Sequence, residues 1–190
     1  MNKKFGNGRA CAIASSLVII TLSHPGCSNG RWDVWNRETE ETMELPAINP
    51  EKAKSLLDSD SGYVYLDVRT PAEFQAGRPT GAINIPVAEM NPVSGSMELN
   101  PKFLDVVTAH IGKEAKVILG CRSGARSAAA QELMHQAGYT DTTNMLGGFG
   151  GKSDATGQVL TEGWSTLGYP TERGDAGDAG YAALSTKTTP

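Results

Sequence analysis

A short apolar run, a small turn and a helical pattern, in that order, do most to restrict how this chain can fold. Lys116 to Leu119 are typical of a buried strand, Cys121 follows its end, and residues 122–126 form the turn. Ser127 to Ala137 has helical periodicity and is followed by Gly138, the residue type preferred just past a helix end. The pattern predicts a cysteine where a strand passes into the N-terminus of a helix.

A cysteine at such a turn is surrounded by positive charge. Several backbone N–H groups point into the turn, and the helix dipole and two arginines, Arg122 and Arg126, add to them. A thiolate or a bound anion is therefore stabilised there, and we expect Cys121 to be a reactive nucleophile. The alternative is a buried structural cysteine, which fits poorly with a turn that contains glycine and is flanked by arginines.

Strands alternate with helices over most of the chain, which predicts an α/β fold with a parallel sheet. Further strands are expected within residues 43–48, 63–68 and 82–85, and helices after Asn49-Pro50, Thr70-Pro71 and Asn100-Pro101. Residues 87–99, rich in Asn, Pro, Ser and Gly, indicate a loop. Sites in such sheets gather at the C-terminal ends of the strands, where Cys121 is predicted to lie.

The beginning of the chain is typical of an export signal. Three basic residues precede an uncharged apolar run, Ala10 to Leu22, which is shorter than the roughly 20 residues that span a bilayer. Gly26 directly precedes Cys27, as at bacterial lipid-attachment sites, although the two residues before Gly26 depart from that pattern. We expect residues 1–27 to direct export, giving a periplasmic protein or a lipoprotein anchored to the membrane through Cys27. Cleavage nearby without lipid is the alternative.

Composition divides the rest of the chain into three parts. Residues 28–44 are polar and indicate a linker, residues 45–172 hold the domain, and residues 173–190 are low in large apolar residues and are expected to be disordered. Cys121 is then alone in the mature domain, without a disulfide partner. The formal net charge of −4 gives no reason to expect nucleic acid binding.

Four separated motifs resemble, in order, the signatures of the rhodanese family. They are Leu66 to Phe74 (LDVRTPAEF), Gly81 to Pro86 (GAINIP), Cys121 to Ser127 (CRSGARS) and Gly147 to Phe149 (GGF). The resemblance implies a rhodanese-like parallel sheet flanked by helices on both faces. Two features depart from the family pattern: an arginine at position 78, and extra residues over 150–163, which we interpret as a surface hairpin rather than a flap over the site.

The resemblance also implies the chemistry of a thiosulfate sulfurtransferase. Cys121 would take sulfane sulfur from thiosulfate or a persulfide donor and pass it to cyanide, a thiol or a protein thiol. The substrate-binding cradle would be the turn formed by Arg122, Ser123, Gly124, Ala125 and Arg126. The family also suggests a scaffold role for Asp67, Arg69 and Glu73.

The residues themselves assign roles within that chemistry. Arg122 is the candidate for attracting the sulfonate of the donor, and Arg126 for setting the charge of the turn, although either could be a solvated surface charge. Sulfur transfer needs no general base, and both mature histidines, His110 and His135, fall in predicted helices away from the turn. We expect no cofactor and no metal, because histidines and cysteines are few and scattered.

Two other functions stay open at this point. A persulfide carrier or a noncatalytic binding module would use the same cysteine without turnover. Phosphatases and arsenate reductases also place a cysteine in an anion-binding loop closed by arginine, but with five residues between the two. Four residues separate Cys121 from Arg126, and this shorter turn favours a single sulfur atom over a tetrahedral phosphate or arsenate.

Overall fold

The computed structural model of this protein describes residues 44–187. The predicted export signal, Cys27 and nearly all of the predicted linker lie outside these residues. Within residues 44–187, no helix is long and apolar enough to cross a membrane.

A five-stranded parallel sheet forms the centre of the domain. Its strands, in spatial order, are β1 (Ala47–Ile48), β8 (Thr142–Met145), β7 (Lys116–Gly120), β2 (Tyr63–Asp67) and β4 (Ile83–Asn84). All four pairings are parallel, and the register places Leu66 beside Leu119 and Asp67 beside Gly120. The C-terminal ends of β2 and β7 therefore lie side by side at one edge of the sheet.

In the described part of the chain, five α-helices connect or follow these strands: α1 (Pro50–Asp58), α2 (Pro71–Ala76), α3 (Phe103–His110), α4 (Ala125–Gln136) and α5 (Tyr181–Thr186). Asn49 caps α1 by accepting a hydrogen bond from the backbone N–H of Lys52. Thr70 and Glu73 form a reciprocal capping box at the start of α2. Asn100 instead accepts from Lys102 N and donates to the Pro86 carbonyl, so it holds a turn and α3 begins later than predicted, at Phe103.

The helices cover both faces of the sheet, as predicted. Successive residues of a strand point to opposite faces, so Leu66 packs in one apolar cluster and Tyr65 in another. The cluster with Leu66 includes side chains from α3, α4 and α5, and the cluster with Tyr65 includes side chains from α1 and α2.

Three antiparallel strand pairs of the described residues lie around the sheet. They are β5 (Ala88–Met90) with β6 (Met97–Leu99), β9 (Lys152–Ser153) with β10 (Val159–Thr161), and β3 (Arg78–Pro79) with β11 (Thr171–Glu172). The β9–β10 pair confirms the predicted hairpin over residues 150–163. The prediction of a loop over residues 87–99 is wrong. Asn91 closes a hairpin there, because its side-chain oxygen accepts from the backbone N–H groups of Val93 and Ser94.

The prediction of a disordered tail is wrong for residues 173–187. They form a 3-10 helix (Gly177–Ala179) and α5, and Leu184 is buried against the main cluster. His110 Nε2 lies 2.8 Å from the Leu184 carbonyl oxygen, and Tyr181 receives a hydrogen bond from Asn100. Leu184 and Tyr181 thus anchor a segment whose composition alone indicated disorder.

Candidate active site

Cys121 lies directly after β7, at the edge where the parallel strands end. Its side chain is buried, with 1% of the residue exposed. The backbone N–H of Gly124 donates to Sγ at 3.1 Å, and Ser127 Oγ lies 3.4 Å from the same sulfur. The turn therefore brings a main-chain donor and a hydroxyl to the thiol, as an anion-binding turn requires.

Gly124 is the residue that allows the turn to close and the helix to start. Its φ of 102° lies in the left-handed region, which side chains rarely adopt. The helix α4 begins at the next residue, Ala125. The positive end of a 12-residue helix is thus beside Cys121, as the sequence predicted.

A buried polar network stabilises the cysteine turn. Ser127 Oγ lies 2.6 Å from Asn144 Oδ1, and Asn144 Nδ2 donates to the Gly124 carbonyl at 3.2 Å. Asn144 belongs to β8, so the network joins the start of α4 to the neighbouring strand. Asn144 was not predicted as part of the site. The available signal was an asparagine inside a short strand that is buried along its whole length.

The segment of residues 147–151 (GGFGG), called the glycine cluster below, also contacts the cysteine turn. Phe149 N donates to the Cys121 carbonyl at 2.7 Å, and Gly150 N donates to the Arg122 carbonyl at 2.8 Å. A Cβ on Gly148, whose φ is 58°, would overlap the Cys121 carbonyl oxygen. Close approach of two backbones thus requires glycine, a role that the motif alone did not reveal.

The two arginines of the turn have different surroundings. Arg126 is partly buried and donates to both carboxylate oxygens of Glu73, at 2.8 and 2.7 Å. These hydrogen bonds raise the pKa of Arg126 despite its partial burial. Arg122 is exposed, and within residues 44–187 its side chain forms no ion pair. Arg122 is therefore the cation of the turn that is available to an incoming anion.

Asp67 and Arg69 form a buried ion pair beside the site. Arg69 Nη2 lies 2.6 Å from Asp67 Oδ2 and also donates to the Gly77 carbonyl at 2.7 Å. The guanidinium lies over the Phe149 ring, 4.3 Å from its centroid. The pair thus links β2 to the glycine cluster, consistent with the predicted scaffold role.

The structure brings the predicted site residues together in one turn. Cys121 and Gly124 are buried, Ser123 and Arg126 are partly buried, and Arg122 and Ala125 are exposed. The two histidines within residues 44–187 lie elsewhere: His110 ends α3 and His135 lies in the last turn of α4. The arrangement can hold a thiolate, or a sulfur atom bonded to it, next to the Gly124 N–H and beside the exposed guanidinium of Arg122.

Known proteins are similar to this chain in sequence and in fold. The family model described as Rhodanese-like domain matches residues 49–154. The chain is 36% identical over 136 residues to senescence-associated protein DIN1 of Raphanus sativus, covering 69% of this chain and 73% of that protein. It is 38% identical over 112 residues to thiosulfate sulfurtransferase 16, chloroplastic, of Arabidopsis thaliana, covering 59% and 82%. The crystal structure of Rv0390 from M. tuberculosis superposes with a TM-score of 0.57 at 32% identity, over 68% of this chain and 98% of that one.

Proposed function

The chain belongs to the rhodanese-like domain family, and we propose that it is a sulfurtransferase that carries sulfane sulfur on Cys121. The observation that carries the proposal is the contact of the Gly124 N–H with Sγ at 3.1 Å, at the N-terminus of α4. Donors placed there stabilise negative charge on sulfur both before and after a sulfur atom is accepted. Relatives named thiosulfate sulfurtransferase support the same chemistry.

In the first half-reaction, thiosulfate is the proposed donor. The Cys121 thiolate attacks the outer sulfur of thiosulfate and forms a new S–S bond. The S–S bond of thiosulfate breaks, and its electron pair leaves with sulfite. The product is a persulfide anion on Cys121. The exposed side chain of Arg122 would attract the sulfonate end of the donor.

In the second half-reaction, an acceptor thiolate or cyanide attacks the outer sulfur of the persulfide. The Cys121 S–S bond breaks, and its electron pair returns to Sγ as the thiolate. The acceptor leaves as a persulfide or as thiocyanate. Neither half-reaction needs a proton transfer, so the site requires no histidine.

Intact-mass spectrometry of the purified full chain after exposure to thiosulfate tests the proposal. We expect the protein to gain the mass of one sulfur atom, and the gain to disappear on later addition of cyanide with formation of thiocyanate. Cys121→Ser should fold and lose both signals, and Cys27→Ser is the matched control that should keep them. A gain that persists in Cys121→Ser would overturn the assignment, and loading without catalytic turnover would indicate a carrier.

The length of the turn separates sulfur transfer from phosphate chemistry. Four residues lie between Cys121 and Arg126, and the guanidinium of Arg126 is already engaged by Glu73. The phosphate group of an aryl phosphate has three non-bridging oxygens that each need donors, which this turn is too short to supply. We expect negligible hydrolysis of aryl phosphates. Efficient hydrolysis that is lost in Cys121→Ser would favour the phosphatase class instead.

A further inference from the structure

A groove of about 700 Å³ leads away from the cysteine turn. The first turn of α2, with Pro71, Ala72 and the Arg126-bound Glu73, forms one wall, and Glu89, Met90 and Met97 of the β5–β6 hairpin form the other. Arg122 and Arg126 close the end nearest the turn. Volumes in this range bury ligands of drug or short-peptide size, whereas thiosulfate and cyanide have only a few atoms. The groove is therefore much larger than the small substrates of the proposed reaction need.

The methionine wall is exposed although it is apolar. Met90 and Met97 face each other across the hairpin and are 56% and 41% exposed. Methionine side chains are flexible and polarisable, and they adapt to the shape of an apolar partner. Burial of the two methionine side chains against an apolar ligand would be favourable, because it removes apolar surface from water.

Large exposed apolar side chains lie on three segments of the described chain. Within residues 44–187, the large ones are Met90, Val93, Met97, Leu99, Leu146, Val159 and Leu160. All seven lie on the β5–β6 hairpin, at the end of β8 or on the β9–β10 hairpin. The last two segments join the glycine cluster, whose Gly150 donates to the Arg122 carbonyl. Of these seven side chains, Met90 and Met97 line the groove, so this pair is the exposed apolar surface that a ligand of the groove would cover.

We propose that the groove binds a cysteine-containing peptide segment of a partner protein, and that this protein thiol is the sulfur acceptor. The inference rests on the proposed sulfurtransferase function, because the acceptor thiol must reach the outer sulfur on Cys121. An apolar side chain beside the acceptor cysteine would pack on Met90 and Met97. An acidic residue of the same segment would pair with Arg122, whose side chain forms no ion pair within residues 44–187.

The test compares acceptors of different size. The persulfide form is prepared with thiosulfate, and sulfur transfer is measured to cyanide, to glutathione and to a short peptide with leucine beside cysteine and a glutamate near it. The variant is Met90→Ser/Met97→Ser. Val93→Ser, 94% exposed in the hairpin turn and outside the groove, is the matched control.

We expect kcat/KM for the leucine peptide to fall about tenfold in the double variant, which is the size of effect that losing part of two apolar contacts produces. Transfer to cyanide and glutathione should change by less than about twofold, and Val93→Ser should match the wild type with all three acceptors. An unchanged peptide rate, or an equal loss with all three acceptors, would overturn the proposal.

A binding measurement keeps this inference separate from the proposed function. The same peptide with serine in place of cysteine cannot accept sulfur, and its affinity for the unloaded protein is measured by fluorescence anisotropy. Weaker binding to Met90→Ser/Met97→Ser than to Val93→Ser supports the groove, and equal binding to both overturns it. Failure of thiosulfate to load Cys121 would count against the proposed donor, while this comparison would still decide the groove.

Discussion

The Glu73 carboxylate is held by the guanidinium of Arg126 through two hydrogen bonds, at 2.8 and 2.7 Å. The pair ties the first turn of α2 to the first turn of α4, although the two residues are 53 positions apart. Glu73 also accepts from the backbone N–H of Thr70, so all of its partners lie at helix N-termini. The positive charge of Arg126 is thereby shared with a carboxylate, and Arg122 is the exposed cation of the turn.

Glu73→Gln should weaken the fold in a pH-dependent way. Burial alone would raise the pKa of Glu73, but the hydrogen bonds from Arg126 and Thr70 outweigh it and lower the pKa to about 2. Because this folded-state pKa lies below the ordinary value of 4.5, the stabilisation is complete above about pH 4.5 and is lost as the pH falls toward 2. We expect a difference in unfolding free energy on the order of 1–2 kcal/mol at pH 7, allowing for the partial exposure of the pair.

Urea unfolding at pH 7, 5 and 3 measures this difference. Glu51→Gln removes an exposed carboxylate from the first turn of α1 and serves as the matched control. The stability gap between wild type and Glu73→Gln should be similar at pH 7 and 5 and smaller at pH 3. A gap that is absent at pH 7, or that does not change with pH, would contradict the role given to the pair.

Arg122→Ala should raise KM for thiosulfate, because it removes the exposed cation next to Cys121. Salt screens exposed charges, so the increase should be about three- to tenfold at low ionic strength and smaller at high ionic strength. Lys152→Ala removes an exposed cation from the insertion hairpin instead and should leave KM unchanged. If Arg122→Ala gives the same kinetics as wild type at every ionic strength, Arg122 is only a surface charge.

Short-range patterns account for the parts of the structure that the sequence predicted. The strand before Cys121, the turn and α4 are consecutive, so periodicity and a glycine were enough to place them. The same holds for α1 and α2, whose caps Asn49 and Thr70 lie within three residues of their bonding partners. The cysteine site was predictable because its main donors come from the turn itself.

Long-range contacts account for what was missed. Asn144 lies 20 residues from the Gly124 carbonyl that it binds, and nothing local to it indicates that partner. Leu184 is one of few apolar residues near the C-terminus, and only the packing of α5 against the domain shows that it is buried. The β5–β6 strands are three residues each, too short for a periodicity to identify.

Gly120→Ala should destabilise the protein by about 1–3 kcal/mol, the usual effect of overpacking a core. A Cβ at this position would overlap the hydroxyl and ring of Tyr65 on the neighbouring strand, and Tyr65 is itself buried beside Trp164. Urea unfolding measures the loss in Gly120→Ala.

Tyr65→Phe should be neutral or slightly stabilising, because within residues 44–187 the buried Tyr65 hydroxyl has no hydrogen-bond partner. Urea unfolding measures this change as well, and a clear loss of stability in Tyr65→Phe would show that the hydroxyl is bonded.

Cys27→Ser tests the export prediction, which rests on the sequence alone. We propose that the chain is exported and that its mature form begins at or near Cys27, with Cys27 as the candidate site for a lipid. Wild type expressed in a bacterial host should then fractionate with membranes, and Cys27→Ser should be released. Membrane association of the variant with an intact N-terminus would indicate an uncleaved anchor. A soluble wild type that is cut elsewhere would exclude the lipid.

Arg78→Lys should loosen the C-terminal segment, because Arg78 is a buried anchor for it. Its guanidinium donates to the carbonyls of Gly174 and Asp175, at 3.0 and 3.2 Å, and lies 4.8 Å from the centroid of the Phe74 ring. A lysine keeps the charge, but its ammonium cannot reproduce both carbonyl contacts and the planar stacking. We expect a loss of about 1–3 kcal/mol in unfolding free energy, since hydrogen bonds to charged groups contribute about that much.

Hydrogen exchange shows where that loss occurs. Exchange should accelerate at the Gly174 N–H, which donates to the Gln75 carbonyl, and along α5, whose Leu184 holds the segment on the domain. The central strand β7 has its own partners in the sheet and should exchange at a rate set by global stability only. The exposed neighbour Arg173→Lys is the matched control and should change neither. Unchanged exchange after Gly174 in Arg78→Lys would show that Leu184 and Tyr181 hold the segment without the arginine.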